Sequence, residues 1–340
     1  MREAEPLSLP DSPSQPLSWE ARAGTGKWSL CTCAAAANIA AWPWHCRRGD
    51  VRPGSVTSFD AFKREWRGGR VTGVDDRLLL SSSFGAAATA YAEHRPDYAQ
   101  AAVRWALELV PGPRVLDLGA GTGKLSATLV ALGADVVAVE PDPAMLGELR
   151  RALPAVRALP GSAETIPLPD ASVDAVLAGN ALHWFDMSVA GPEIARVLAP
   201  GGSLAGLWNV MDDRVDWVAG LERVSGSAAI GPRDTLSSWR AATAGMLVPS
   251  SGLVGFGSPE QVEFPHGQRR TADSLVATLA TRAGMLVMAD QDREATLGGI
   301  RDFLASRPET AQGEFTLPML TGVLRVRRPE KIDQSLGPGC

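Results

Sequence analysis

A strand, a glycine turn and a helix follow one another in residues 115–126, and this stretch constrains the fold more than any other part of the chain. Apolar residues surround one acid, Asp117, and glycines then occupy every second position, Gly119, Gly121 and Gly123. Glycine lacks a Cβ and tolerates positive φ, so the backbone can approach a ligand closely. The N-terminus of the following helix adds unpaired N–H groups. The stretch therefore predicts a ligand-binding turn at the end of a buried strand.

Composition and charge narrow the class of protein. Hydrophobic residues make up 45% of the chain and charged residues 21%, as in a globular protein with a core. The net charge of −5 leaves no basic excess to neutralise nucleic-acid phosphates. No cysteine lies between residues 47 and 339, which argues against a disulfide scaffold and favours a reducing, cytoplasmic setting. We expect no signal peptide, and the uncharged run 241–259 contains glycines and a proline that predict a connection rather than a membrane span.

The chain divides by pattern into four parts. Residues 1–75 hold five of the ten tryptophans and three of the four cysteines, with no persistent period, which predicts a low-order leader. An alternative is that this leader is not native but is translated from a wrongly chosen start, and a zinc site is a second alternative that its cysteine spacing does not favour. We expect a binding core at 83–210, a substrate cover with C-terminal edge strands at 211–326, and a tail at 327–340.

Strands alternate with helices five times after residue 113, and most of the strands are apolar on both faces. This is the pattern of a parallel sheet covered by helices on each side, with ligands at the carboxyl ends of its strands. Two later strands, Glu260–Pro265 and Phe315–Val326 with a break near Pro318, predict an antiparallel edge hairpin. The predicted fold is therefore α/β: a doubly wound, Rossmann-like, mostly parallel seven-stranded sheet with helices on both faces and an N-terminal helical lid.

Three local expectations accompany this fold. Asp97 is expected to cap the second helix, because it follows a proline and precedes an apolar stripe. A later helix is expected around Pro192–Leu198. The stripe that we expect to be buried in the second helix consists of Tyr98, Ala101, Ala102, Trp105, Ala106 and Leu109.

Three kinds of ligand are compatible with a glycine turn. A P-loop requires a glycine where Leu118 stands and a Ser or Thr where Leu125 follows Gly123-Lys124, so we reject it. A dinucleotide fingerprint requires its third glycine where Lys124 stands, but Glu140 lies near the spacing of the ribose-binding acid and keeps this alternative open.

The third alternative rests on a resemblance. Five segments, in order and spacing, resemble class I S-adenosylmethionine (SAM)-dependent methyltransferases: Val115–Gly123, Val136–Asp142, Gly161–Glu164, Asp174–Asp186 and Glu193–Gly202. The preceding segment from Phe84 to Tyr98 resembles that of small-molecule members, such as ubiquinone/menaquinone and trans-aconitate methyltransferases with a methyltransferase type 11 domain. The resemblance covers about residues 83–326. It implies SAM as cofactor, in-line methyl transfer to a small-molecule acceptor, and no metal.

The resemblance also implies roles for individual residues around the nucleoside. Glu140 would accept hydrogen bonds from both ribose hydroxyls. Asp117 would brace the turn or reach the SAM ammonium. The residues expected under the ribose and methionine portion are Gly119, Ala120 and Gly121. The residues expected around the adenine are Pro141, Met145, Ala163 and Glu164, with Ser162 where family members often have an acid.

Further roles concern the reacting end of the cofactor. Asn180 would hold the methionine part, and Trp184 would form a wall of the methyl pocket. His183 would act as a base or, alternatively, pack to fix a loop. Tyr91 and Arg95 would form a lid over the SAM carboxylate or, alternatively, serve helix packing.

The sequence does not identify the methyl acceptor. Three tryptophans, Trp208, Trp217 and Trp239, favour an apolar or aromatic small molecule, while protein substrates stay open and nucleic acid is disfavoured by charge. The oligomeric state is not predicted. Two other classes stay open beside the methyltransferase: an NAD(P)-dependent oxidoreductase and a catalytically silent SAM-binding protein.

Overall fold

The computed structural model describes residues 85–247 and 252–330 of the 340-residue chain. The predicted leader at 1–75, Phe84 and residues 331–340 of the predicted tail lie outside the described residues. No helix among the described residues is long and apolar enough to cross a membrane.

Seven strands in the described part of the chain form one sheet. They are β1 (Arg114–Leu118), β2 (Asp135–Glu140), β3 (Arg157–Pro160), β4 (Val173–Gly179), β5 (Leu198–Met211), β6 (Glu260–Arg270) and β7 (Phe315–Arg327). Their order is β3-β2-β1-β4-β5-β7-β6, with β1 to β5 parallel and β7 antiparallel to both neighbours. This confirms the predicted fold class, although helices rather than a tight turn connect the two edge strands.

Helices flank the sheet on both faces. They are α1 (Ala88–His94), α2 (Gln100–Ala106), α3 (Lys124–Ala131), α4 (Pro143–Ala152), α5 (Met187–Val197), α6 (Asp216–Ala229), α7 (Leu236–Thr243), α8 (Ala272–Ala280), α9 (Ala283–Leu286) and α10 (Asp290–Ala305). Helices α2 and α3 pack on the face that carries Val115 and Leu177. Helices α5 and α7 pack on the opposite face, which carries Leu116 and Val176. Because successive strand residues face opposite layers that are both covered by helices, the central strands are mostly apolar on both faces.

The sheet places its ligand crevice between β1 and β4. The chain leaves β1 towards β2 on one side, and later returns to β4 on the other side. Parallel strands whose connections diverge in this way leave an open crevice at their carboxyl ends. The glycine turn after Leu118 and the turn after Gly179 therefore lie side by side.

A separate apolar cluster stands beyond this end of the sheet. Helices α6, α8, α9 and α10, here called the cover, bury Trp217, Leu279 and Ile300 against the sheet residues Met211 and Met319. Met211 is the last residue of β5, so the cover lies on the same side as the crevice.

The start of α2 differs from the prediction. The helix begins at Gln100 without a side-chain cap, and the Asp97 carboxylate instead pairs with the Lys124 ammonium at 3.3 Å. Ala101 is exposed, and Leu109 is 69% exposed because the helix ends at Ala106 and Leu109 adopts a φ of 64°. The helix therefore ends about one turn before the last residue of the apolar stripe that we predicted.

Two proline-based boundaries were also wrong. Helix α5 begins at Met187, after Asp186 accepts a bond from the Ser188 N–H at 3.1 Å, so Pro192 lies inside the helix. Strand β7 continues through Pro318, which pairs with β6 but lies one residue beyond the end of the β5 ladder. A proline that faces a neighbour on one side only does not break a strand.

Candidate functional site

The glycine turn after β1 is tied to the neighbouring strand β2. The N–H groups of Gly119 and Ala120 donate to the Val139 carbonyl at 2.9 and 3.1 Å. Gly119 and Gly121 have φ values of 69° and 56°, which glycine adopts without strain. A Cβ on Gly119 would lie 2.7 Å from the Ala181 Cβ, whereas a Cβ on Gly121 would meet no atom within 4 Å. The backbone at Gly121 therefore borders open space, as a cradle for a ligand requires.

Glu140, the last residue of β2, lies beside this turn and is 7% exposed. Its Oε2 accepts the Gly121 N–H at 2.8 Å, and its Oε1 accepts the Asp142 N–H at 2.9 Å. Burial raises the pKa of the Glu140 carboxyl, and the two backbone bonds oppose that rise. Each oxygen has lone pairs beyond the one bond shown, so the carboxylate can accept from two further hydroxyls.

Asp117 is fully buried in β1. Its Oδ2 accepts the Ser126 hydroxyl at 2.6 Å, while its Oδ1 has no hydrogen-bond partner. Burial raises the pKa of Asp117 to about 7. Asp117 thus joins β1 to the first turn of α3 through Ser126. Its predicted role in the turn or at the SAM ammonium stays a prediction, and its second oxygen still lacks the donor that a buried oxygen needs.

A cavity joins the turn to the N-terminal segment, by which we mean residues 85–99. Its lining consists of Tyr91, Tyr98, Asp117, Gly119, Ala120, Gly121, Thr122, Lys124, Leu125 and Gly179. Five of these were predicted site residues. The other five were missed: Tyr98 was assigned to a helix face, and Lys124 was considered only as a P-loop residue. Thr122 and Leu125 carry no motif of their own, and the proximity of Gly179 follows only from the pairing of β1 with β4.

Tyr98 closes this cavity against the end of β4. A Cβ on Gly179 would lie 2.6 Å from the Tyr98 hydroxyl oxygen, so only glycine fits there. The Asn180 side chain lies close to the Tyr98 hydroxyl, and burial raises the pKa of Tyr98 well above its ordinary value. Asn180 has a φ of 50° and donates its N–H to the Leu207 carbonyl at 2.8 Å. The predicted residue Asn180 thus follows Gly179, which lines the cavity, and its backbone is held by β5.

The residues predicted around the adenine lie on the other side of Glu140. Met145 and Ala163 are buried, Pro141 is exposed, and none of the three lines the cavity. The Glu164 Oε1 accepts the Asp186 N–H at 3.0 Å. The adenine contacts of these four residues stay predictions.

His183 and Trp184 lie in a short 3-10 turn, Leu182–Trp184, with their ring centroids 4.7 Å apart. The His183 Nδ1 accepts the Trp208 indole N–H at 3.3 Å. Indole nitrogen only donates, so the neutral imidazole carries its proton on Nε2 and neither ring nitrogen has a free lone pair. This geometry favours the packing alternative for His183, and its action as a base and the role of Trp184 at the methyl pocket stay predictions.

Arg95 does not line the cavity. Its Nε donates to the Thr281 hydroxyl and its Nη2 to the Thr281 carbonyl, both at 3.0 Å, and the guanidinium stacks on the Tyr91 ring at 4.5 Å. Burial lowers the pKa of Arg95 to about 10. The structure thus places Arg95 in the packing role, as an anchor between the N-terminal segment and the residue after α8.

The three tryptophans that favoured an aromatic acceptor are buried. Trp208 is 1%, Trp217 6% and Trp239 0% exposed. The Trp239 indole N–H donates to Glu263 at 3.1 Å, and its ring lies against Gly322. These rings support the core and offer no surface to an acceptor, so they give no reason to prefer an aromatic one.

The sheet order, the glycine turn and the buried acid at the end of β2 together define a nucleoside-binding α/β protein. Residues 116–206 match the family model described as a methyltransferase domain. An uncharacterised methyltransferase of Mycobacterium bovis is 42% identical over 250 residues, which cover 73% of this chain and 97% of that protein. A demethylmenaquinone methyltransferase of Beutenbergia cavernae is 43% identical over 100 residues, or 29% of this chain and 42% of that protein.

The solved structures agree on the fold. A candidate type II methyltransferase from Anaeromyxobacter dehalogenans superposes with a TM-score of 0.51 at 26% identity, covering 69% of this chain and 99% of that one. The chain belongs to the class I SAM-dependent methyltransferases, and it is an enzyme of methyl transfer whose family uses SAM as donor. The open space at Gly121 and the buried carboxylate of Glu140 fit the ribose end of SAM, which carries no phosphate to repel that acid.

Proposed function

We propose that this methyltransferase acts on a small-molecule acceptor in the cytoplasm. SAM would supply a methyl group already activated on a sulfonium, so the residues of the chain contribute binding, alignment and exclusion of water. Glu140 binds the ribose diol, and the turn at Gly119–Gly121 supports the sugar and the methionine portion. Pro141, Met145, Ala163 and Glu164 surround the adenine. The cytoplasmic setting rests on cysteine usage in the sequence, and the negative charge disfavours nucleic acid as acceptor.

The observation that supports a small acceptor is the attachment of the N-terminal segment to the cover. The His94 carbonyl accepts bonds from the Thr278 hydroxyl and the Arg270 Nη2, both at 2.9 Å. Arg95 adds its two bonds to Thr281. The segment that carries Tyr91 and Tyr98 is therefore fastened across the crevice. A protein or nucleic-acid acceptor would need an open groove to reach the methyl group. A small-molecule acceptor would need only a narrow opening.

We assign residues 83–210 to donor binding and 211–326 to acceptor recognition, with residues from 327 onwards as a tail. The cover in the second part stands beyond the strand ends where Asn180 lies, which is the side from which an acceptor would approach. The two parts share one sheet, because β7 pairs with β5 along Ser203–Met211.

The test is transfer of a labelled methyl group from SAM. The purified protein is incubated with cell extract divided into a small-molecule fraction, a protein fraction and a nucleic-acid fraction. We expect label in the small-molecule fraction only. Label confined to protein or nucleic acid would overturn the proposal.

Calorimetry separates the two alternative classes. We expect S-adenosylhomocysteine (SAH) to bind and NAD to show no binding. Binding of NAD without SAH would support the oxidoreductase. Binding of SAH with no transfer to any fraction would support a silent SAM-binding protein.

A further inference from the structure

The contact between the N-terminal segment and the cover holds more positive than negative charge. Arg95 of the segment is 7% exposed, and no acid among the described residues forms an ion pair with it. The Arg282 guanidinium repels Arg95 and the Asp234 carboxylate attracts it. Arginine is rarely buried to this degree without an acidic partner. Here two buried or nearly buried guanidiniums share one carboxylate, which leaves an excess of one positive charge.

Arg282, between α8 and α9, is bonded on one side of its guanidinium only. Its Nη1 donates to the Asp234 Oδ1 at 2.6 Å, and the Asp234 Oδ2 accepts the Gly231 N–H at 2.8 Å. The Nε of Arg282 is buried and has no hydrogen-bond partner. Nε and Nη2 form the edge of the guanidinium that the Asp234 pair does not use. With such an edge arginine binds a carboxylate or phosphate through two parallel bonds.

This ion pair borders the donor cavity but is not part of it. Arg282 follows Thr281, to which Arg95 donates, and Arg95 stacks on the Tyr91 ring at 4.5 Å. Tyr91 lines the cavity, whereas Arg282 does not. The side chains of Arg282 and Asp234 are 13% and 17% exposed, so a ligand can reach charges that are largely desolvated. An anion at Arg282 would therefore belong to a molecule beside the donor.

We propose that the unpaired edge of Arg282 binds a carboxylate of the methyl acceptor, so that the acceptor is a small organic acid. This inference rests on the proposed function and names the class of its substrate. The excess of one positive charge matches a carboxylate, which carries a single negative charge, better than a phosphate, which carries up to two. Arg95 contributes through its charge, while its own hydrogen bonds remain with Thr281.

The first test divides the small-molecule fraction of the cell extract by anion exchange before the transfer reaction. We expect the fraction that is retained on the exchanger to accept the labelled methyl group from SAM, also after treatment with phosphatase. Transfer only to the unretained fraction, or loss of transfer after phosphatase, would overturn the inference and leave the proposed function intact. Transfer to no small-molecule fraction would refute the proposed function, and the inference with it.

The second test replaces Arg282. For Arg282→Met we expect the amount of retained fraction needed for half-maximal rate to rise roughly 10-fold or more, as for loss of a charge-assisted hydrogen bond. SAH affinity, measured by calorimetry, should not change. Arg282→Lys should recover only part of the loss, because an ammonium cannot form two parallel bonds. Arg293→Met, at an exposed ion pair with Asp290 in α10, is the control and should behave as the unsubstituted protein does.

Asp234→Asn separates binding of the acceptor from a structural role, because it breaks the same ion pair from the other side. We expect the amount of retained fraction for half-maximal rate to be unchanged or lower in this variant, since a competing anion is removed. Equal increases in Asp234→Asn and Arg282→Met would show that Arg282 only holds the loop that carries Asp234, and would overturn the inference. An unchanged requirement in Arg282→Met, or a matching loss of SAH affinity, would overturn it as well.

Discussion

Glu140 connects the fold to the proposed ribose site through both of its oxygens. In Glu140→Gln one of the two backbone N–H groups, of Gly121 or Asp142, would face an amide donor instead of an acceptor. A hydrogen bond to a charged group is worth about 1.5–3 kcal/mol, so we expect SAH affinity to fall roughly 10-fold to 100-fold. Calorimetry measures this. Glu314→Gln, at an exposed ion pair with Arg269, is the control and should bind as the unsubstituted protein does.

The Asp117 carboxyl should make donor binding depend on pH, if it faces the SAM ammonium as the resemblance implies. Its pKa is raised to about 7 by burial, so the folded protein without ligand favours the protonated form. The resulting stability is present below the unfolded pKa of about 3.9 and is lost as pH rises through about 7. Binding of an ammonium requires the charged form, so SAH affinity should fall as pH decreases from 7 to 5.5, by roughly 10-fold per unit.

Calorimetry of SAH between pH 5.5 and 7 measures that slope, within a window where the ligand ammonium stays charged. Asp117→Asn should bind SAH more weakly and with a flat profile over the same window. A slope that persists in this variant would assign the titration to another group, such as Glu140, whose pKa is also raised.

The positions and conformations of individual residues were predicted well where they depend only on the local backbone. Gly119 and Gly121 adopt the positive φ that their spacing indicated, and Glu140 lies at the strand end where the motif placed it. The hydrogen bonds of Arg95 could not be predicted from the sequence. Its partner Thr281 is 186 positions away in the sequence, and no local pattern indicates that pairing. Tyr98 was likewise predicted to be buried, but its position against Gly179 depends on how the N-terminal segment lies against the end of β4.

Helices and strands were predicted where the apolar period and the breakers agree. The five parallel strands and the glycine at 133 that follows α3 are of this kind. The proline at 192 predicts a helix that begins near that residue. The Asp186 cap instead determines where α5 begins. The path of β7 through Pro318 depends on where its neighbour β5 ends. The position at which β5 ends depends on the tertiary structure, and the sequence of β7 alone does not indicate it.

One residue from each of three adjacent strands holds the N-terminal segment in place. Thr321 of β7 accepts the Ala99 N–H at 3.0 Å, donates to the Asn209 Oδ1 of β5 at 2.9 Å, and lies 3.2 Å from the His266 Nε2 of β6. Asn209 in turn donates to the Pro96 carbonyl at 3.2 Å. This network fixes the turn that carries Tyr98 into the cavity.

Thr321→Val removes the hydroxyl at nearly constant volume and leaves the Ala99 N–H and the Asn209 Oδ1 each without a partner. An unsatisfied buried group costs about 1–3 kcal/mol, so we expect the free energy of unfolding to fall by that order. Urea denaturation measures it, and amide exchange should become faster at residues 97–99. Thr316→Val, at an exposed position of the same strand, is the control. Equal stability of the two variants would show that the network does not anchor the segment.

At the scale of the whole molecule, the N-terminal segment is bonded to the cover on the side of the crevice. Helix α1 and the cover are far apart in sequence, and His94 and Arg95 connect them. Because Tyr91 of this segment lines the cavity, we expect a donor bound there to leave when the segment separates from the cover. The contact should therefore control the rate of ligand release more than the rate of binding.

A double-mutant cycle between Arg95 and Thr281 tests this control. Arg95→Met keeps the length of the side chain but loses both bonds to Thr281, and we expect SAH to dissociate roughly 10-fold faster, as for a charged hydrogen bond. Thr281→Val should have a smaller effect, because the Thr281 carbonyl still accepts the Arg95 Nη2. The double variant should release SAH no faster than Arg95→Met alone, since both changes remove one shared contact. Displacement kinetics measure the three rates. Additive effects, or a change confined to the association rate, would show that the segment is held closed by other contacts.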